Sequence, residues 1–473
     1  MDLAINIPRK LNLILVGSLS LCVGGIAAIG GPFLAAGLIG VICFAVMSFM
    51  NKSLFFQFVW WWIAFSGIFI NSFGVTENIV THHIDKFFLG VMIIHLFMHL
   101  KRVPFRDFPI IGAAFMLVFI AVLSKIINSS AASGLMGFLS SYSRIFIFIL
   151  CAQCLLTEGE LKGIISALFF IGVIQFIIAI VQVSTYGSYN LLVGREINLI
   201  QDAACGTMGH WGAKHLGHLM MILLILSSSL ALYTKQIKHV LLSIVFLVTF
   251  ILTFTKLDYF FLFGYLCVYF QQRGFKTRYR TILTVFLAIS ALLFVRYQTG
   301  SHGEFNEYLT GKQTIVNSGK VQSLNRMKDL LLQDVAQLAI GLGPGTYCSY
   351  SAFTHRGEYF RKYVEDKSDE IKSTMDYRWS SFMAIIAETG LFSCLVYVFI
   401  FGYLFKRALL IIRQKGQDLY NKGIASAYLF ILIFFIYTAF ILNSFESMEL
   451  TFPVAIVTAY ILKVDQVSEM ARG

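Results

Sequence analysis

The sequence predicts an all-α membrane protein: a polytopic transmembrane helical bundle of about fourteen spans, with one large loop on the non-cytoplasmic side. Three observations predict it. The 473-residue chain is 58% hydrophobic and 13% charged, whereas soluble domains are nearer half apolar and a quarter charged. Apolar stretches approaching the ~20 residues that cross ~30 Å of hydrocarbon recur from end to end. Lys and Arg cluster in alternate short loops between them.

In chain order the expected spans are 11–30, 32–50, 54–72, 85–100, 108–127, 141–157, 163–184, 215–234, 239–254, 259–272, 281–297, 381–405, 424–443 and 452–464. Barrel strands would instead read as ~10-residue alternating segments. The chain divides into a bundle over 1–297 with an outer loop near 185–214, a large outer loop over 298–380, and a second bundle segment over 381–473 that ends in a cytoplasmic tail.

Orientation follows from the basic residues. With Arg9 and Lys10 inside, the inner loops and tail hold about twenty Lys and Arg, and the short outer loops about six. Both termini are then cytoplasmic. The net charge of +12 is mostly this bias. The large loop carries about ten residues of each sign, so nucleic acid is not expected as a partner. The first span lacks a small-residue cleavage site and reads as an anchor. The longest cytoplasmic segments, 273–280 and 406–422, are too short to fold as nucleotide-binding domains. No cofactor is expected.

Metal signals are weak. Cys151 and Cys154 form a CxxC at the cytoplasmic end of an apolar helix with no nearby ligand set. His95 and His99 lie one turn apart without a third ligand. Cys205 and Cys348 both lie outside, and spacing alone does not establish whether they pair.

The informative polar residues are at the outer surface. Leu324, Met327, Leu330, Leu331, Val335 and Leu338 recur at helical spacing, which predicts an amphipathic helix in the large loop. Gly341-Leu342-Gly343-Pro344-Gly345 stops it, and such backbone can either approach a phosphate or simply end a helix. Asp376, Tyr377 and Arg378 precede the span at 381–405. Glu388 lies inside that span, about 10 Å below its outer entry at 1.5 Å per residue. A carboxylate at that depth is either functional or paired with an Arg or a backbone donor. Lys256, at the outer end of its span, poses the same choice: a functional buried charge or a snorkelling side chain.

These patterns together resemble the O-antigen polymerase/ligase family of bacterial envelope enzymes. Arg195 is followed by ten residues and then Gly206, which resembles the Arg-to-Gly loop motif of Wzy-type polymerases; Gly206-Thr207-Met208-Gly209-His210 then leads through Lys214 into a new span. Thr255-Lys256 falls where the family often has Ser-Arg. Ser323-Leu324-Asn325-Arg326, followed by Gly341 to Tyr347, is similar to the family's Arg helix and Gly-rich turn. Ala387-Glu388-Thr389-Gly390 is similar to its last helix. The chain departs from the pattern twice. Eleven residues, not ten, separate Arg378 from Gly390, and Trp379 stands where ligases of the family carry a His. The second departure favours the polymerase over the ligase.

The resemblance implies a GT-C-like bundle and a metal-independent glycosyltransferase in the bacterial inner membrane, with its active site facing the periplasm. It implies undecaprenyl-pyrophosphate-linked glycans as substrates and a chain-length regulator and a flippase as partners. The cations Arg195, Arg326, Arg378 and Lys256 would stabilise the pyrophosphate leaving group. Asp376 or Glu388 would serve as base. Gly343, Gly345, His210 and Lys214 would line the substrate site, and Tyr347 and Tyr377 would stack on sugars or belong to an interfacial aromatic belt.

Overall fold

The computed structural model describes residues 49, 51–73, 85–99, 107–184, 189–190, 195–196, 204–208, 212–253, 258–271, 325, 327–361 and 380–470. The expected spans at 11–30 and 281–297, and all but Phe49 of the span at 32–50, lie outside these residues. The chain has two units, Met1–Val59 and Trp60–Gly473, and the second holds the site.

Regular structure among the described residues is helical, apart from a two-residue antiparallel pairing of β1 (Tyr189–Asn190) with β2 (Arg195–Glu196). Helices α1 (Lys52–Phe73), α2 (Asp85–His99) and α3 (Phe108–Ile127) lie close to their expected spans. So do α6 (Glu158–Ser184), α7 (Gly212–Thr234), α8 (Ile237–Leu252) and α9 (Asp258–Gln271), with α6 starting a turn early. Three more close the bundle: α12 (Ser381–Arg413), α13 (Leu419–Ile441) and α14 (Met448–Met470). Because α14 starts earlier than expected, Pro453 falls inside it rather than at its end.

Five of the described helices are long and apolar enough to cross a membrane, or six if one bent pair counts as a single span. Large apolar side chains point outward, including Phe115 at 67% exposure and Phe399 at 64%. Contiguous faces of this kind need lipid as their solvent.

The bent pair corrects the expected span at 141–157. Helix α4 (Ala132–Tyr142) precedes α5 (Arg144–Leu155), and the two meet at Ser143 at 51°. The small, polar composition of α4 lowers its hydropathy and hid it from the sequence reading. That composition has a packing cause. A Cβ added at Gly134 would strike the carbonyl of Pro344, and one at Gly137 would strike the side chain of Ser351.

The amphipathic helix expected over 324–338 is also broken. Its first part ends with Leu331, and Asp334 caps a new helix, α10 (Val335–Ile340), by accepting from the Ala336 amide at 3.0 Å. Val335, assigned to the apolar face, is 82% exposed. An Asp side chain competes well for the first amides of a helix, and here that local bond overrides the continuous pattern.

Helix α12 is interrupted at Gly390, whose φ is 76° and ψ −178°. The interruption frees the Ala387 and Glu388 carbonyls, which accept from the Leu342 and Gly343 amides at 2.8 and 3.1 Å. Polar backbone at this depth must be satisfied internally, and the Gly-rich segment supplies the donors. A Cβ at Gly390 would collide with the backbone of Ala339 and Ile340.

Gly390→Ala therefore destabilises the protein by at least about 1–3 kcal/mol through backbone strain alone. Gly402→Ala, in the same helix with open space around its Cβ position, is neutral or slightly stabilising. Thermal unfolding of both variants in detergent checks this; equal midpoints would contradict the close approach at Gly390.

Candidate functional site

Glu388 is 0% exposed. Its Oε1 accepts from the amides of Tyr347 at 3.2 Å, Cys348 at 3.0 Å and Ser349 at 2.9 Å. Its Oε2 accepts from the Gly345 amide at 2.6 Å and the Ser349 hydroxyl at 2.9 Å. Left-handed turns at Gly343 and Gly345, with φ of 106° and 72°, help bring the amides of this segment round to one anion. The segment from Gly341 to Ser349 is thus drawn into the bundle, against the break in α12.

Neighbouring helices hold it there. Asn128, just beyond α3, donates to the Gly341 carbonyl at 3.0 Å, and Ser124 donates to the Glu388 carbonyl at 3.0 Å. Ser351 donates to the Gly134 carbonyl of α4 at 2.9 Å. The short helix α11 (Tyr350–Thr354) follows, capped by Ser349.

A second acid stands beside this segment. The turn Ser444–Glu446 joins α13 to α14. Glu446 Oε1 accepts from the Tyr142 hydroxyl at 3.0 Å and the Tyr350 amide at 2.8 Å. Asn443 donates to Oε2. The Arg144 guanidinium, which is 6% exposed, donates to the Glu446 carbonyl at 3.4 Å. Burial pushes the Glu446 carboxyl up to about 7. Burial, with Glu388 and Glu446 nearby, also pushes the Cys348 thiol well up, so it remains a neutral thiol.

The 204–208 segment is anchored by the same device with neutral amides. Gln182 of α6 accepts from the Cys205 and Gly206 amides at 3.0 and 2.8 Å and donates to the Gly206 carbonyl at 2.7 Å. Gln175 accepts from the Thr207 amide at 3.0 Å and donates to the Ala64 carbonyl of α1 at 3.0 Å. Gly206 has φ 59°. Two further acid pairs lie near the start of α7: His215 with Glu449 at 3.4 Å, and the buried His218 with Asp258 at 3.1 Å.

Of the residues singled out from sequence, Glu388, Gly343, Gly345 and Tyr347 come together. The amides that a phosphate would need at Gly343 and Gly345 are engaged by Glu388, and the Tyr347 ring is 3% exposed, so it packs inside the protein. Arg195 lies in β2, with its backbone opposite Asn190. Lys214 is half-buried at the start of α7. His210, Lys256, Arg326, Asp376, Tyr377, Arg378 and Trp379 lie outside the described residues. Cys205 and Cys348 are both buried and do not form a disulfide with each other, and Cys151 and Cys154 are likewise buried thiols outside any disulfide. The sequence reading missed Glu446, Tyr142, Asn443 and the Gln175–Gln182 pair. Glu446 gave a signal that went unused: an acid in a short turn between two apolar spans.

No protein-family model matches the chain, and no curated protein matches it.

Removing Glu388 leaves four buried amides without their acceptor, each worth about 1–3 kcal/mol. Glu388→Ala should therefore fail to accumulate as a monodisperse protein in detergent. Ser349→Ala, which removes one hydroxyl to Glu388 and the α11 cap, should fold with a loss of about 1–2 kcal/mol. A Glu388→Ala protein as heat-stable as wild type would refute the carboxylate's structural role.

Proposed function

We propose that this chain polymerises undecaprenyl-pyrophosphate-linked polysaccharide repeat units, such as those of O-antigen, capsule or exopolysaccharide, at the outer leaflet of a bacterial inner membrane. In this reading it has about fourteen spans, cytoplasmic termini and a periplasmic loop over 298–380. The growing glycan passes as a block onto a new lipid-linked repeat. The acceptor hydroxyl attacks the anomeric carbon of the chain on the other carrier, and undecaprenyl pyrophosphate leaves.

One observation supports the reading most. The segments that resemble the family's loop motifs, Gly206-Thr207 and Gly341 to Tyr347, are among those that buried polar side chains draw into the bundle. A lid or surface loop would not need such anchoring. A bundle that must hold a polar reaction centre at the lipid boundary does, because backbone there has no water to bond. The energy for transfer is already in the glycosyl–pyrophosphate bond, so the reaction requires cations for the leaving group and a proton acceptor. Arg195, Arg326, Arg378 and Lys256 are the proposed cations. Glu388, with five donors on its carboxylate, serves by shaping the loop.

A second reading is favoured by the break at Gly390. Discontinuous spans whose freed carbonyls line a central site are characteristic of transporters, so a lipid-linked glycan flippase is the competing class. A ligase is the competing reaction.

Deleting the gene separates them. Loss of chain ladders on a gel, with single repeats still attached to their acceptor, supports the polymerase. Complete loss of attached glycan points to the ligase, and lipid-linked repeats trapped on the inner leaflet point to the flippase. Within the polymerase reading, Arg195→Ala or Arg378→Ala abolishes polymerisation while the protein still inserts. Wild-type chain lengths in both variants would remove the arginines from the mechanism.

A further inference from the structure

The turn between α13 and α14 holds a carboxylate that the mechanism above leaves unused. Glu446 is half-buried, whereas Glu388 is wholly enclosed. Glu446 lies where three outer elements converge: the end of α4 through Tyr142, the start of α11 through the Tyr350 amide, and its own turn through Asn443.

The two acids differ in what their oxygens have left to offer. A carboxylate has about four acceptor sites. Glu388 takes five donors and is saturated. Glu446 takes two on Oε1 and one on Oε2. Its unused capacity is on Oε2, the oxygen not held by Tyr142 and Tyr350. Asn443 is itself oriented by Ser381, which donates to its Oδ1 at 3.1 Å, so the amide is fixed towards Glu446. Preorganisation of this kind is what a proton acceptor needs and what a mere spacer does not.

We propose that Glu446 is the general base of the glycosyl transfer, accepting on Oε2 the proton of the attacking sugar hydroxyl. The proposal rests on the polymerase reading. As the hydroxyl oxygen forms its bond to the anomeric carbon, the bond from that carbon to pyrophosphate breaks and its electron pair leaves with the pyrophosphate. The proton stays on Glu446 until water removes it. Glu388 and Glu446 thus divide the work, one holding the loop and the other handling the proton.

The electrostatic surroundings suit this role. The groups facing Glu446 are Tyr142 from α4, Arg144 from α5, Cys348 from the Gly-rich segment and Glu388 from α12. Glu449, one turn further on, is turned to His215. Burial raises the Glu446 carboxyl to about 7, and Glu388 adds to that, while the Tyr350 amide, the Tyr142 hydroxyl and Arg144 oppose it. An acid that titrates near neutrality is both ionised often enough and basic enough to take a proton. The ionised form is the active one, so the rate falls as pH drops through about 7.

The test uses full-length protein in proteoliposomes with lipid-linked repeat units, following polymer on gels on both sides of neutral pH. Wild type should show an acid limb near neutrality. Glu446→Gln, which keeps an acceptor for Tyr142 and Tyr350, should lose about 10²–10⁴-fold in rate and lose the limb as well. Formate should restore part of the rate to Glu446→Ala, which a purely structural loss would not allow. A Glu446→Gln protein that keeps both rate and acid limb overturns the proposal. So does a Glu446→Ala protein that retains its melting temperature yet stays inactive in formate. If wild type forms no polymer from the same substrates, the polymerase reading itself has failed and takes the proposal with it.

Discussion

The break in α12 and the Gly-rich segment packed against it depend on one buried carboxylate. Glu388 sits about two turns into a membrane helix, where an unpaired charge costs at least ~2.5–3.5 kcal/mol. Four backbone amides and a hydroxyl meet it there. The relation is reciprocal. The break at Gly390 leaves the Ala387 and Glu388 carbonyls without helical partners, and the same segment supplies their donors. Neither the broken helix nor the inserted loop is stable at this depth alone, because each carries backbone groups that lipid cannot satisfy. Together they account for each other's polar atoms.

Close approach is the condition for that exchange, and it explains the small residues around it. Gly341 and Gly390 place backbone against backbone, and both adopt positive φ. Gly134 lets α4 lie against Pro344 and Gly345. A helix surfaced this way has little hydropathy, which is why α4 escaped a reading based on apolar runs while α3, with Phe115 and Phe119 facing outward, was found to the residue. Legibility therefore followed the lipid. Faces that meet hydrocarbon carry long apolar side chains and announce themselves. Faces that meet another backbone carry Gly and Ser and do not.

The site was legible to the same partial degree. Glu388 stood out because an acid in an apolar helix is costly wherever its partners are. What it pairs with was not readable, since four of its five donors are backbone amides and these leave no mark in composition. The turn glycines were visible as φ-permissive positions, but a nest of amides looks the same whether it holds a phosphate or a side chain of its own protein. Asp334 falls inside the stretch expected as one amphipathic helix, and it is the cap of a second. A periodic pattern cannot reveal a break whose cause is a single hydrogen bond. Gln175 and Gln182 were invisible for the opposite reason, as uncharged residues among long apolar runs that raise no alarm.

These two anchoring modes set different limits on the loops they hold. The Gln182 amide both accepts from and donates to the Cys205–Gly206 backbone, a buried contact between neutral groups that costs about 1–3 kcal/mol for each group left unsatisfied. Glu388 cannot release its loop so readily, because a carboxylate stripped of five donors at that depth has no water to replace them. The Gly341–Ser349 segment is accordingly the more firmly held of the two, because its acceptor is charged and takes five donors. Glu446 is joined through the Tyr350 amide to the end of the segment that Glu388 immobilises. The proposed role of Glu446 as base draws on that placement, since the segment anchored by Glu388 fixes the amide that Glu446 accepts from.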